Sequence, residues 1–236
     1  MNSNSNSPAT RQIVTAVGTS AIWGTVDGII IESMVQGPAA QATPLQIACV
    51  FEYTEGDIFI SPPALPAESN GMVHLDKALN GLITDIRRSG KFEGHALETL
   101  MITPPDSHIR PDKLLLIGLG DRNIFDPALM IKVSQVGMRE ALRLGVPSYS
   151  FAADIKDAGI HSPIGVVAGN IVDGAVRGYR TEEYLKSKGM FVNTSINKLT
   201  LLAGMKFFAE AGEGIKASIA ALQRITPTEN FALKNS

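Results

Sequence analysis

The 236-residue chain holds one cysteine, Cys49, which leaves no partner for an internal disulfide. The thiol sits in the apolar run 47–51, where it is expected to be buried and inert. A lone thiol suits a reducing compartment, so a cytoplasmic location is expected. Excess charge of one sign is also lacking: 21 Lys and Arg against 23 Asp and Glu leave a formal net charge of −2. Nucleic acids and anionic membrane surfaces call for clustered Lys and Arg, so neither is expected as a partner. No apolar stretch approaches the ~20 residues of a membrane-spanning helix. Residues 1–10 are polar and simple in composition, without the basic and apolar regions of a secretory signal, and residues 1–12 read as a tail.

Several chemical signatures are missing as well. No two of the histidines His74, His95, His108 and His161 lie three to five positions apart, so no local zinc spacing exists. Gly-x-Ser-x-Gly, the usual frame of a serine nucleophile, does not occur. A two-metal hydrolase needs several carboxylates converging on ions ~3.5–4 Å apart. Here Glu182-Glu183 at a helix end, and Asp154 and Asp157 in one loop, read as solvated surface. No cofactor, no metal and no catalytic residue are expected.

What is present is a 44% hydrophobic chain with two apolar periods. The runs 22–35 and 45–53, rich in Ile and Val, predict strands. Ser61-Pro-Pro-Ala-Leu-Pro66 predicts an ordered loop, because its prolines lack amide donors. One helix is expected over 75–88, with Leu75, Leu79, Leu82 and Ile86 on one face. Strands at 98–103 and 113–119 follow, the second apolar on both faces. Asp126-Pro127 and Ser162-Pro163 read as helix starts, opening helices over 126–144 and 163–178 with a strand at 146–153 between them. A strand at 198–202 and a helix at about 206–224 complete the pattern. The alternation predicts an α/β, three-layer domain with a mixed, mostly parallel sheet.

Two features suggest binding. Gly118-Leu-Gly120 follows a buried strand, where phosphate loops occur, although Asn123 stands where the full fingerprint has a third glycine. The terminal helix carries Phe208, Ile215, Ile219 and Leu222 on one stripe, which must fold back on its own domain or dock on another chain. In the helix 163–178, Gly165 pairs with Gly169 and Gly174 with Gly178 on shared faces, which predicts close packing.

Several segments, in order from about Ile47 to Ala203, resemble the N-terminal domain of the leucine aminopeptidase family. Leu75-Asp-Lys-Ala-Leu-Asn-Gly-Leu82 is similar to that domain's first-helix signature, and Phe92-Glu-Gly-His95 with Glu98-Thr-Leu100 to the link into its next strand. Leu114-Leu-Leu-Ile-Gly-Leu-Gly-Asp121 resembles its central strand and turn. Val167-Ala-Gly-Asn-Ile-Val-Asp-Gly-Ala-Val-Arg-Gly-Tyr179 and Glu183-Tyr-Leu-Lys-Ser187 resemble its later helix. The resemblance implies a macro-domain-like fold over 13–204, followed by a terminal helix and tail over 205–236. It also implies that the chemistry belongs to a separate C-terminal domain with two metal ions, whose Asn-Thr-Asp-Ala-Glu-Gly-Arg signature is absent here; Asn193-Thr194 leads into Ser195-Ile196 instead.

The expectation is therefore a non-catalytic assembly, regulatory or protein-interaction module. Its partners would be a second copy of itself or a catalytic aminopeptidase subunit, since the family forms hexamers. The alternative is a macro-type cleft for a nucleotide or an ADP-ribose-like ligand, with Gly118, Gly120, Asp154 and Asn170 as candidate contacts. Against a pyrophosphate stand Asp154 and Asp157, which would repel it.

Overall fold

The apolar run 22–35 is a hairpin rather than one strand. In the computed structural model, which describes residues 14–60, 65–105, 108–190 and 196–225, β1 (Ser20–Val26) pairs antiparallel with β2 (Ile29–Met34). Asp27 and Gly28 between them have φ of 50° and 84°, as a two-residue primed turn requires. The Asp-Gly pair is the sequence signal for such a turn. The tail expected over 1–12, and residues 61–64 of the proline-rich loop, lie outside the described residues.

Five further strands join this hairpin: β3 (Gln46–Val50), β4 (Thr99–Ile102), β5 (Leu114–Gly118), β6 (Ser148–Ala152) and β7 (Lys198–Leu202). The sheet order is β1-β2-β7-β6-β3-β5-β4. Strands β2, β7, β6, β3 and β5 run parallel, while β1 and β4 pair antiparallel at the two edges. Every residue of β3 and β5 is buried, as expected of central strands covered on both faces. The mixed α/β sheet expected from the sequence is present.

The helices are a single turn α1 (Asp57–Ile60), α2 (Gly71–Ala78), α3 (Leu82–Arg88), α4 (Leu129–Leu144), α5 (Ile164–Ser187) and α6 (Phe208–Gln223). The helix expected over 75–88 is broken at Asn80 and Gly81, both with positive φ. It also begins earlier, where Asn70 Oδ1 accepts from the Val73 amide at 3.0 Å. Buried Asp76 fixes the two pieces by accepting from the Thr84 amide and hydroxyl at 3.1 and 2.7 Å. Before α4, Asp126 Oδ1 accepts from the Ala128 amide at 2.8 Å in a local turn, and the helix itself begins at Leu129, later than the Asp-Pro start predicted. Helix α5 continues through Gly178 to Ser187, so that glycine is not a stop.

The sheet separates two cores. On one face α4, α5 and α6 bury residues such as Ile47, Ile117, Phe151, Ile171 and Ile215. On the other, α2 and α3 bury Val50, Leu75, Ile83, Leu114 and Phe92. Helix α5 lies between its two neighbours at close range. A Cβ on Gly174 would stand 2.2 Å from the Ile131 carbonyl oxygen of α4, and one on Gly214 of α6 would stand 1.9 Å from the Gly165 carbonyl oxygen. The glycine faces read from the sequence are thus close packing surfaces.

Arg180 joins three elements. Its Nε donates to Asp27 Oδ2 at 2.6 Å and its Nη2 to the Leu222 carbonyl at 3.2 Å, tying α5 to the β1–β2 turn and to the end of α6. Helix α6 folds back on its own domain: Phe208 meets Trp23 of β1 with ring centroids 5.9 Å apart. Phe208, Ile215, Ile219 and Leu222 are all buried there. The stripe that the sequence offered to a partner is therefore occupied within the chain, because β1 and β2 present an apolar surface that needs a cover.

Candidate functional site

The chain leaves the neighbouring strands β3 and β6 in opposite directions. After β3 it runs to α2 and α3 on one face of the sheet, and after β6 it enters α5 on the other. Ligands of open α/β sheets bind at such divergence points, beyond the carboxyl ends of the strands. Beside that point, beyond the carboxyl ends of β2, β7 and β6, opens a cleft of about 490 Å³, lined by 35–40 after β2, 151–157 after β6, the start of α5 and 201–207 after β7. Its walls are largely apolar, with Val35, Pro38, Val167, Ala168, Leu201 and Phe207 among them.

Asp154, in the turn after β6, is among its lining residues. It has φ of 54°, a left-handed conformation that Asp and Asn tolerate better than most residues. The residue as a whole is half-buried, while its Oδ2 is fully buried and has no hydrogen-bond partner. Burial pushes its carboxyl well above the usual carboxylate range, the neighbouring Asp157 pushes it further, and a backbone hydrogen bond from Cys49 opposes both. Asp157 Oδ2 accepts from the Gly71 and Met72 amides at 2.8 and 3.2 Å, so it occupies the amino end of α2. Burial still dominates and pushes Asp157 up to about 6. Asn70 Nδ2 completes the clasp by donating to the Asp157 and Ile58 carbonyls at 3.2 and 3.3 Å.

This corrects the reading of Asp154 and Asp157 as solvated surface. Sequence spacing gives no sign of burial, because the enclosure comes from α2, which lies more than eighty residues earlier in the chain. Cys49 behaves as expected: it is buried, and burial raises its thiol pKa, with Asp154 adding to the effect.

Of the four candidate ligand contacts, Asp154 lines the cleft and the other three do not. Gly118 and Gly120 are buried under residues 94–98. The Gly118 amide donates to the Glu98 carbonyl at 2.8 Å, and the Gly120 amide to the Gly94 carbonyl at 2.9 Å. A Cβ on Gly118 would stand 2.0 Å from the His95 carbonyl oxygen, so that glycine serves a close backbone approach. Asn170 Nδ2 donates to the Pro127 carbonyl at 2.8 Å and links α5 to the start of α4.

One cleft residue and one close to it in α6 escaped the sequence reading. Ser162 is 8% exposed, and its hydroxyl is buried without a hydrogen-bond partner. Glu210 of α6 accepts from the Ile164 amide at 3.0 Å, at the amino end of α5. Ser162-Pro163 had registered only as a helix start. Away from the cleft, His95 lies between Glu52 and Glu93 at 2.8 and 2.9 Å, and its pKa is raised, chiefly by the hydrogen bond to Glu52. Among the described residues no group of three or more His, Cys, Asp or Glu side chains is arranged to hold a metal ion. No described helix is long and apolar enough to cross a membrane.

Residues 61–188 match the family model of the N-terminal domain of the cytosol aminopeptidase family. A probable cytosol aminopeptidase of Roseiflexus castenholzii is 28% identical over 158 residues, which are 66% of this chain and 32% of that protein. The chain spans less than a third of the length of the curated relatives it matches. Among solved structures, a tomato leucine aminopeptidase variant is similar with a TM-score of 0.57 at 19% identity, covering 84% of this chain and 36% of that one. An Oceanobacillus iheyensis macrodomain variant is similar with a TM-score of 0.53 at 14% identity, covering 86% of this chain and 99% of that one. At these identities the structural likeness is one of fold, and the fold is macrodomain-like.

Proposed function

The chain belongs to the cytosol aminopeptidase family through its N-terminal domain, and from that premise we infer that it acts by binding, as a non-catalytic regulatory module that receives a small ligand in the cleft beside Asp154. The observation that carries this reading is the cleft itself. Its volume of about 490 Å³ falls within the ~300–1,000 Å³ of small-molecule sites. It lies beyond the carboxyl ends of β2, β7 and β6, and its largely apolar walls include a few polar residues, Asp154 and Ser162 among them. Apolar walls supply affinity, and such polar groups supply orientation.

The assembly role expected from the sequence drew on the family's hexamers and on the α6 stripe, and that stripe is buried against β1, β2 and α5. Under the present reading a second copy or a catalytic subunit would meet another surface, and binding in the cleft would be what it senses. A cytoplasmic setting belongs to the same reading. No turnover of a leucyl chromogenic substrate is expected with added zinc or manganese.

The test is a fragment screen by thermal shift on the full chain and on Ala203→Trp, whose indole would fill the cleft from the end of β7. Fragments that stabilise the parent and not the variant support a cleft ligand. Stabilisation that is equal in both would sink the reading.

A further inference from the structure

We propose that residues 93–98 form a strap over the turn after β5, latched to the end of β3 by the imidazolium form of His95 and loosened when that proton leaves. None of these residues lines the cleft, so the strap works with or without a ligand there. The geometry of the latch sets the protonation state. His95 Nδ1 lies 2.8 Å from Glu52 Oε1, just after β3, and its Nε2 lies 2.9 Å from Glu93 Oε2. A carboxylate oxygen only accepts, and a neutral imidazole carries one N–H. Both contacts are hydrogen bonds only when both ring nitrogens are protonated. Loss of the proton leaves one nitrogen lone pair facing a carboxylate. The charged groups that act on His95 are Glu52 from the end of β3 and Glu93 and Glu98 from the strap itself. All are acids, and the hydrogen bond to Glu52 leads them in pushing its pKa above the usual 6.5. The latch is therefore complete below 6.5 and is lost as pH rises through the native value.

The strap covers backbone donors at the ends of two adjacent central strands. The Glu93 carbonyl accepts from the Tyr53 amide at 3.2 Å, and the Gly94 carbonyl from the Gly120 amide at 2.9 Å. A Cβ on Gly94 would stand 2.6 Å from the Phe51 carbonyl oxygen, so the strap lies directly against the chain leaving β3. Its own shape is set by Glu98, whose Oε2 accepts from the Glu93, Gly94 and His95 amides at 3.1, 2.8 and 3.1 Å. Leu97 has φ of 68°, a strained conformation for a residue with a branched side chain, which persists only where the surroundings hold it. Glu93, His95 and Leu97 are exposed, so little burial opposes release. Opening at the latch uncovers the Tyr53 and Gly120 amides and leaves the buried strands beneath in place.

Nuclear magnetic resonance on the full chain tests this in two steps. The His95 ring should titrate above 6.5, and Glu52→Gln should lower its midpoint. Amide exchange, corrected for its intrinsic pH dependence, is then read at Tyr53 and Gly120 against Leu116 of β5, which reports opening of the whole domain. From pH 5.5 to pH 8 the relative protection of Tyr53 and Gly120 should fall about two- to fivefold, the scale of one exposed ion pair. In His95→Gln, an exposed substitution that spares the fold, it should be the same at both pH values. A ring that titrates at or below 6.5 overturns the proposal. Relative protection that is independent of pH in the parent also overturns it. So does an equal fall in parent and His95→Gln, which would assign the change to other groups, the buried acids Asp154 and Asp157 first.

Discussion

Asp154 is the residue on which chemistry and stability pull in different directions. Its carboxyl is buried beside a second carboxyl, and the native pKa of both is raised. An acid whose native pKa lies above its unfolded value contributes stability that is complete below the unfolded pKa and is lost as pH rises through the native one. For Asp157 that window runs from 3.8 to about 6, and for Asp154 it extends upward from the same starting value. Asp154→Asn removes the buried charge, and asparagine tolerates the positive φ. The variant should be more stable than the parent at pH 7.5 by about 1–3 kcal/mol, with the difference shrinking toward pH 4. Urea unfolding at the two pH values measures this, and a difference independent of pH would show that Asp154 is not held as described. At this scale the sequence was least legible. Asp154 stood out as a candidate, but its carboxyl is buried beside Cys49 of β3 and Asp157, and local spacing carries no trace of the contact with β3. Gly118, Gly120 and Asn170 were visible for the right conformational or polar character, yet each has its partner inside the fold.

Elements were more legible, because periodicity and punctuation are local. The strands at β5 and β7 and the paired glycine faces of α5 follow from residue type and spacing alone. The misses have specific causes. Asp27-Gly28 was absorbed into a long apolar run, and Asn80-Gly81 interrupts a stripe whose spacing continues across the break. Gly178 resembles a helix stop, although α5 needs a small residue there to pass α4, with Met138 Cβ only 3.2 Å from where a Cβ would stand. Gly174→Ala tests this packing. In an open helix interior alanine would gain up to ~1 kcal/mol. Here the new methyl would stand 2.2 Å from the Ile131 carbonyl oxygen, so the sign reverses and a loss of about 1–3 kcal/mol is expected. For a chain of this size that lowers the melting temperature by roughly 2–4 °C per kcal/mol. A melting temperature equal to or above the parent's would mean that α4 and α5 are less closely packed than described.

At the scale of the whole molecule, the class and the order of strands and helices were legible, while the position of α6 was not. An amphipathic stripe specifies that a helix must be covered, and says nothing of whether the cover is its own sheet or another protein. The hairpin β1–β2 and α5 supply the cover here. The buried Phe208, Ile215, Ile219 and Leu222 each contribute about 1.5–3 kcal/mol, which together is comparable to the ~5–15 kcal/mol net stability of a typical domain. Deletion of residues 206–236 should therefore give a protein that unfolds or aggregates near room temperature. A truncated protein with a sharp, parent-like melting transition would show α6 to be an appendage.

The proposed function places a ligand in the cleft beyond β2, β7 and β6, and its direct test is backbone amide chemical-shift mapping of the full chain against a mixed fragment library. Shifts should concentrate at 151–157, 164–168 and 201–207, with the covered turn at Gly118–Gly120 silent. Binding fragments whose shifts gather on another surface, or a library that leaves the cleft residues unmoved, would contradict it.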